Sequence, residues 1–348
     1  MEHKDLQECI RSLAMMDETD SVFISCYLNL EKGADGCRDF LRERELLLEK
    51  NVPEGLRNNF SKTMGKVHSF LSEKSFRGVK GLAIFSREGS VPFFLTLEFH
   101  VPLPNQIVMD LTPHIYPLIE LMDTYHRYVV AISTEKNARI LEIDTGSVTE
   151  SLWMERPELR KRIGREWTKE HYRNHREDRG GKFIKEKIRI LERVMSAGGH
   201  THLILAGSPQ KTSRLKKALP RRLTDNLVDT VVIDERAETG SVMEATLATF
   251  IEQEQKESFA AVEMLQREIN TNGLAVVGSE ATLEALKRGQ ADMLILAKEF
   301  YEGELKEELV KLAVRSGIKI ETVSGSHILN QYGGVGCLLR YLLPEHYT

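Results

Sequence analysis

The chain has 348 residues, 41% of them hydrophobic and 29% charged, with 48 Lys and Arg against 52 Asp and Glu and a formal net charge of −4. These values are ordinary for a soluble globular protein of two or three domains, at roughly 100–200 residues per domain. They argue against a membrane span and a secretory signal, because no run of roughly 18 apolar residues occurs and the first residues are polar.

The four cysteines are scattered along the chain, and none has the C-x-x-C spacing of a zinc site. This pattern favours reduced thiols over a disulfide framework. We therefore expect a cytoplasmic protein with no cofactor, no metal and no membrane partner.

The first section, residues 1–124, has the pattern of an α/β domain. Its predicted elements are an opening helix, a strand at 22–28, helices at 39–50 and up to 72, and a hairpin with strands at 81–85 and 92–97. Four prolines then predict an irregular connector: Pro102, Pro104, Pro113 and Pro117.

The second section, residues 125–262, begins with three apolar runs separated by short polar turns, which predicts three antiparallel strands. A helix follows, because Ile184, Ile188, Leu191 and Met195 recur on one helical face. The remaining predicted elements are a buried strand at 202–206, a basic helix at 211–219, a strand at 230–233 and a joining helix at 242–268. Strands first and helix–strand alternation afterwards predict a domain with a ribonuclease-H-like sheet.

The third section, residues 263–348, alternates short buried strands with amphipathic helices that stop at Gly289 and Gly317. This regular alternation predicts a three-layer α/β/α sandwich. The whole chain is therefore predicted to be an α/β protein of three domains.

The strongest local charge lies between Glu155 and Arg189, with 13 Lys and Arg against 7 Asp and Glu. We expect a long basic loop that ends in Gly180-Gly181-Lys182, immediately before the predicted helix. A positive loop on an acidic protein is typical of RNA binding, and two glycines let bare backbone enter a narrow space. The candidate RNA-binding residues of this loop are Arg160, Arg162, Arg165, Arg173, Arg176 and Arg179. The structural alternative is a solvated loop without a ligand.

A second basic stretch lies in the predicted helix after the buried strand, with no acidic residue between Pro209 and Thr224. It is either a solvated helix face or a second contact to a phosphate backbone. Its candidate residues are Lys211, Arg214, Lys216, Lys217, Arg221 and Arg222.

The order and sizes of these parts resemble the archaeal and eukaryotic class-one peptide chain release factors and their ribosome-rescue relative Pelota, in particular the bacterial and archaeal release-factor-like branch. Three stretches carry the resemblance: Arg179-Gly180-Gly181-Lys182 with the helix after it, 276–296, and the closing 333–341. The second of these is similar to a domain that shares its fold with kink-turn-binding ribosomal proteins.

The resemblance implies a role on the ribosome, with ribosomal RNA and peptidyl-tRNA as partners and a translational GTPase as a further partner. In release factors a Gly-Gly-Gln tip promotes hydrolysis of the peptidyl-tRNA ester, so Gly180, Gly181 and Lys182 are the catalytic candidates. Lys182 stands in the place of the glutamine and cannot accept a hydrogen bond. The Asn-Ile-Lys-Ser motif that reads stop codons is also missing from the first section. A rescue or quality-control role without codon reading is therefore expected, with ester hydrolysis undecided.

Two other functions compete with this interpretation. One is a ribosome-binding or RNA-binding factor that does not cleave the ester. The other is a nuclease with metal-binding acids, for which Asp144 and Asp234 are the candidates, although turn aspartates are far more often structural. The histidines do not have metal-site spacing: His171 and His175 lie in the basic loop, and His200 and His202 are expected to pack in the core.

Overall fold

Strands and helices alternate through a computed structural model that describes residues 3–133, 137–155, 169–234, 236–301 and 303–341. The chain forms two compact units. Unit 1 contains residues 1–125 together with 254–348, and unit 2 contains residues 126–253. None of the helices in the described ranges has the length and apolar character that a membrane span requires.

The first part of unit 1 contains a four-stranded antiparallel sheet in the order β3-β2-β1-β4. Its elements are α1 (His3–Ala14), β1 (Phe23–Asn29), α2 (Ala34–Glu49), a short 3-10 turn (Glu54–Leu56), α3 (Arg57–Glu73), β2 (Gly81–Arg87), β3 (Phe93–Phe99), β4 (Gln106–Asp110) and α4 (Tyr116–Thr124). The predicted helices, the first strand and the hairpin are confirmed within a few residues.

The proline-marked stretch contains a strand that we did not predict. β4 lies between Pro104 and Pro113 and pairs along one side of β1, from Phe23 opposite Asp110 to Tyr27 opposite Gln106. Both prolines fall outside the strand, so neither removes a hydrogen bond from the ladder. The prediction of an irregular connector was therefore wrong over these five residues.

Unit 2 is built on a five-stranded sheet in the order β7-β6-β5-β8-β9. Its elements are β5 (Tyr128–Ser133), β6 (Asn137–Asp144), β7 (Ser147–Glu155), α5 (Lys169–Gly198), β8 (His202–Ala206), α6 (Pro209–Ala218), α7 (Arg221–Asp225), β9 (Leu227–Val231) and the first half of α8 (Thr239–Asn270). The first three strands are antiparallel neighbours, and β8 and β9 run parallel to β5.

Helices cover both faces of this sheet. On one face, Leu191 of α5, Leu215 of α6 and Leu223 of α7 share a core with Val129 and Leu203 of the strands. On the other face, the first half of α8 packs through Val242 and Phe250 against residues such as Tyr128. The Tyr128 and Phe250 rings are stacked with centroids 4.4 Å apart. Strands β5, β6 and β8 therefore send alternate residues into two different helical layers.

The second part of unit 1 contains a four-stranded mixed sheet in the order β10-β13-β11-β12. Its elements are β10 (Ala275–Val277), α9 (Ser279–Lys287), β11 (Ala291–Ala297), α10 (Gly303–Arg315), β12 (Lys319–Val323), α11 (His327–Gln331) and β13 (Val335–Leu339). The predicted glycine stops are confirmed: Gly289 and Gly317 follow α9 and α10 with φ of 69° and 65°. The alternation predicted for this section is also confirmed.

The two parts of unit 1 share one hydrophobic core. Leu6 and Leu118 from the first part belong to the same buried cluster as Leu265, Leu294 and Leu309 from the second. The division into three domains at 124/125 and 262/263 remains a prediction, because the structure groups the outer two sections together. What it shows directly is a mixed α/β protein with three sheets in its described residues.

Candidate functional site

The stretch Gly180-Gly181-Lys182 lies inside helix α5, which begins eleven residues earlier at Lys169. The predicted position at a loop tip before the helix is therefore wrong. The polar residues from 169 to 179 contain no proline and are rich in Lys, Arg and Glu, which have high helix propensity. Two interior glycines cost about 1 kcal/mol each relative to alanine, and the helix continues across them.

Sequence periodicity missed this extension because the apolar face of α5 begins only at Phe183. Phe183 is buried, whereas Gly181 is half-buried and an added Cβ on it would meet nothing within 4 Å. A helix that is polar on all sides leaves no 3.6-residue apolar pattern. Gly181 therefore stands just before the point where α5 docks on its sheet.

A buried lysine fixes that docking point. The Lys187 side chain is 4% exposed, and its Nζ donates a hydrogen bond of 2.9 Å to Oγ of Ser133 at the end of β5. The same Nζ lies 4.2 Å from the centre of the Phe183 ring. A buried ammonium group is stable only when it has such partners. The position of α5 after Lys182 is thus set by a polar and an aromatic contact together.

The predicted RNA-binding arginines before Gly180 are placed only in part. Arg160, Arg162 and Arg165 lie outside the described residues. The backbone of Arg173, Arg176 and Arg179 lies in α5, and their side chains, like that of Lys182, are outside the described part of the structure.

The second basic stretch forms the outer surface of α6 and α7. Thr212, Leu215 and Leu223 face inward and are buried. Lys211 is half-buried, and the other five candidates are exposed: Arg214, Lys216, Lys217, Arg221 and Arg222. Among these five, Arg221 makes the one ion pair found in the described residues, a 3.9 Å contact between its Nε and Asp225 that is open to solvent. Contacts of this kind contribute little to stability.

Helix α5 adds three exposed basic residues that we did not predict. Lys185, Arg189 and Arg193 recur every four residues on the side of α5 opposite to Leu191. Their spacing was readable in the sequence as a stripe facing away from the apolar face. We call these three, together with the five exposed residues of α6 and α7, the basic layer. Only Glu186, Glu192 and Asp225 are exposed acids on the same three helices between 181 and 225.

The charge of the whole of unit 2 has the same sign. Residues 126–253 contain 24 Lys and Arg and 19 Asp and Glu, a net +5, so the remainder of the chain carries −9 of the total of −4. Such an asymmetry places the positive potential of the protein on one unit.

Of the residues considered for a nuclease or a metal site, Asp144, Asp234 and His200 have structural partners among the described residues. Asp144 is buried and accepts a 2.7 Å hydrogen bond from the Thr145 hydroxyl, and Asp234 accepts a 2.7 Å bond from the Arg236 N–H. His200 and His202 are buried, as predicted, and His200 Nε2 lies 2.8 Å from Glu142. These contacts support the structural interpretation of both aspartates.

Residues 113–250 match the model of the bacterial archaeo-eukaryotic release factor family 10. Over 229 residues the chain is 27% identical to the protein pelota homolog of Thermococcus kodakarensis, covering 61% of this chain and 64% of that relative. The pelota homolog of Thermococcus onnurineus matches with the same identity and coverage. The chain thus spans just under two thirds of the length of these relatives.

Two solved structures are similar at lower identity. A model of ribosome-bound archaeal Pelota and ABCE1 has 20% identity and a TM-score of 0.47, covering 76% of this chain and 78% of that one. The archaeal translation termination factor aRF1 has 18% identity and a TM-score of 0.29 over 98% of this chain and 99% of its own. Likenesses at these scores carry no conclusion about function. The family model and the pelota homologs confirm that the chain is related to the release factor and Pelota superfamily.

Proposed function

We propose that this protein is a cytoplasmic, ribosome-associated translation factor that acts in ribosome rescue or quality control without reading stop codons. The observation that supports it best is that the family match at 113–250 spans nearly all of unit 2, the unit with the basic layer and the net positive charge. The curated relatives that match 61% of the chain are pelota homologs.

The basic layer supplies the contact with RNA in this proposal. Its eight exposed Lys and Arg residues lie on three helices that cover the same face of one sheet. Lys and Arg side chains that neutralise phosphates release counterions, so their binding weakens steeply as salt rises. Ribosomal RNA and peptidyl-tRNA are the polyanions that a rescue factor would meet.

The finer architecture belongs to the same proposal. The strand order of unit 2, with three antiparallel strands followed by two parallel ones, supports a ribonuclease-H-like middle domain at 125–262. An N-terminal domain at 1–124 and an α/β/α domain at 263–348, resembling kink-turn-binding ribosomal proteins, complete it. The last of these would serve as the docking module for a translational GTPase.

The proposed binding is tested by sedimentation of the full-length protein with ribosomes at stepwise salt. Removing four contacts should lower the slope of log affinity against log salt by about 3, at roughly 0.7–0.9 per phosphate contact. The test variant replaces four exposed basic residues of the basic layer with glutamine: Lys216, Lys217, Arg221 and Arg222. The control variant makes the same charge change with four exposed bases of unit 1: Lys32, Lys50, Lys62 and Arg77. An equal loss of ribosome affinity in the two variants would mean that net charge, and not the basic layer, determines binding.

A second candidate is a factor that binds the ribosome and leaves the ester intact. It is favoured by the helical backbone at Gly180-Gly181-Lys182, because an interior helical N–H donates to the carbonyl four residues earlier. Hydrolysis through backbone donors at these residues would therefore require α5 to open there.

Peptidyl-tRNA release on stalled ribosomes separates the two candidates. If the stretch opens and promotes hydrolysis, Gly181→Ala should slow release and Lys182→Gln should preserve or raise it. If wild type and Lys182→Gln both bind the ribosome and neither releases the peptide, the non-catalytic function is the one supported.

A further inference from the structure

A cleft of about 960 Å³ in unit 1 follows the outer edge of β4. β4 is the last strand of the order β3-β2-β1-β4, and β1 is its single neighbour in that sheet. Val108, Met109 and Asp110 are consecutive, and all three line the cleft. Successive side chains of a strand point to opposite faces of the sheet, so one cavity meets three in a row only along the edge of the strand.

That edge has no partner within the described residues. The backbone of β4 pairs with β1, and no other backbone hydrogen bond in the described chain involves residues 106–110. An unpaired strand edge presents a row of N–H and C=O groups that can template a further strand. Helix α10 stands across the cleft and contributes Glu304, Glu307 and Lys311 to its lining.

The lysine and the arginine that line the cleft already have hydrogen-bond partners within unit 1. Lys311 Nζ donates a 2.7 Å hydrogen bond to the Thr112 hydroxyl and lies 3.5 Å from Glu307. Arg315 Nε donates a 2.7 Å bond to the carbonyl of Ala14. These contacts use the positive charge of the cleft to hold the two parts of unit 1 together.

Most of the carboxylates at the rim of the cleft, in contrast, form no ion pair within the described residues. Six carboxylates line the cleft, against Lys311, Arg315 and His114. Four of the six are exposed and have no ion pair in the described part of the chain: Asp17, Glu18, Asp110 and Glu304. A negative rim repels nucleic acid and small anions, and it attracts a chain with positive side chains.

We propose that this cleft receives an extended, lysine- and arginine-rich segment of a partner protein, which pairs with β4 as a fifth strand of the first sheet. The backbone of the segment bonds to the edge of β4, and its basic side chains meet the four exposed carboxylates that form no ion pair in the described residues. Recognition of this kind takes affinity from main-chain hydrogen bonds and specificity from alternate side chains. The cleft shares no residue with the basic layer, so it would provide a protein contact in addition to the RNA contact.

The probe is a fluorescein-labelled heptapeptide that alternates valine with lysine or arginine, added to the full-length protein and followed by fluorescence anisotropy. Two further peptides test the mode of binding. One replaces each basic residue with glutamate, and the other keeps every side chain and carries N-methyl groups on alternate amides. We expect binding of the basic peptide, binding about tenfold weaker for the N-methylated peptide, which corresponds to about 1.4 kcal/mol, and none for the acidic peptide.

Charge reversal locates the site. Asp17→Lys combined with Glu304→Lys should weaken binding of the basic peptide at least tenfold. Glu263→Lys combined with Glu280→Lys makes the same charge change at exposed positions that do not line the cleft and should leave binding within about twofold. Hydrogen exchange should show protection of the amides at 106–110 when the peptide is bound.

Three results would each overturn the proposal. The first is no binding of the basic peptide, and the second is an equal loss of affinity in both double variants. The third is equal binding of the N-methylated peptide with no protection at 106–110, which would show that charge alone holds the peptide.

Discussion

Replacing Glu307 with glutamine should destabilise unit 1 by about 3 kcal/mol, which is the lower end of the cost of breaking a buried ion pair. The Glu307 side chain is buried, and it caps a helix to which it does not belong. Its Oε1 accepts a 2.7 Å hydrogen bond from the Ile115 N–H, and its Oε2 accepts bonds from the Tyr116 N–H at 3.2 Å and from His114 Nδ1 at 2.8 Å. These two N–H groups belong to the start of α4, where intrahelical partners are missing.

Glutamine keeps one of the two oxygens and turns the other into an amino group. At least one buried donor then loses its acceptor, at about 1–3 kcal/mol, and α4 loses a negative charge near its N-terminus, at about 0.3–1 kcal/mol. Lys311 also loses the carboxylate 3.5 Å from its Nζ. Glu308→Gln is the matched control, because Glu308 is exposed and its ion pair with Lys287 lies in solvent, where such pairs are worth about 0–1 kcal/mol.

Acid pH provides an independent check. Burial by itself raises the pKa of Glu307, but the His114 hydrogen bond and charge, Lys311 and the Ile115 N–H together hold that pKa below its usual 4.5. A carboxyl group with a lowered folded-state pKa stabilises the protein above its unfolded-state pKa, and this stabilisation is lost as pH falls through the folded value. The difference between wild type and Glu307→Gln should therefore shrink below about pH 4.5.

The assay is urea unfolding followed by far-ultraviolet circular dichroism, with hydrogen exchange at Ile115 and Tyr116. Tryptophan fluorescence would not report on unit 1, because both tryptophans, Trp153 and Trp167, belong to unit 2. A loss at pH 7 equal to that of Glu308→Gln, or a loss that is the same at pH 7 and pH 4, would refute the capping role of Glu307.

Three further predictions concern other parts of the chain. Burial lowers the pKa of Lys306 to about 8. The unfolded chain therefore holds more protons at this residue between pH 8 and 10.5, and the stability of wild type relative to Lys306→Met should rise with pH across that window. Denaturant titrations of both proteins at pH 7.5 and 10 measure this difference, and an unchanged difference would contradict the assignment. Gly336→Ala should cost about 1–3 kcal/mol, because its Cβ would lie 2.8 Å from the Leu265 side chain and 2.9 Å from the Val276 carbonyl. Gly65→Ala, in the interior of α3 with nothing within 4 Å, should instead stabilise by about 0.5–1 kcal/mol in the same unfolding assay, and similar effects of the two changes would remove the packing argument. Charge reversal of four arginines should weaken ribosome sedimentation and flatten its salt dependence, and unchanged binding would remove this stretch from the function. The four are Arg160, Arg162, Arg165 and Arg173.

The closing stretch of the chain contains Gly333, Gly334 and Gly336. Glycines in a strand often mark a close approach of backbone or side chains and not catalysis. Gly336 fulfils this role, since backbone and side-chain atoms crowd the position of its missing Cβ. Gly333 and Gly334 have φ of 79° and 77°, which side chains rarely adopt.

The sequence by itself determined the elements whose signals are local. Apolar periodicity and glycine stops predicted α9 and α10, and short polar turns predicted the antiparallel strands β5 to β7. The basic charge of the middle section and its relationship to release factors and Pelota were also readable from residues alone. These features depend on neighbours within a few positions along the chain, so no knowledge of distant contacts was needed.

Only the tertiary structure decided the features that depend on distant contacts. β4 exists because β1 lies beside it, in a stretch whose prolines predicted no strand. The N-terminal part of α5 has no apolar face, so it leaves no helical periodicity in the sequence. The position of Gly180-Gly181-Lys182 inside a helix could therefore not be predicted. The cap that Glu307 gives to α4 joins residues more than 190 positions apart. The outer sections share one core for the same physical reason. Removing apolar surface from water is favourable whatever the separation of the contacting residues in sequence.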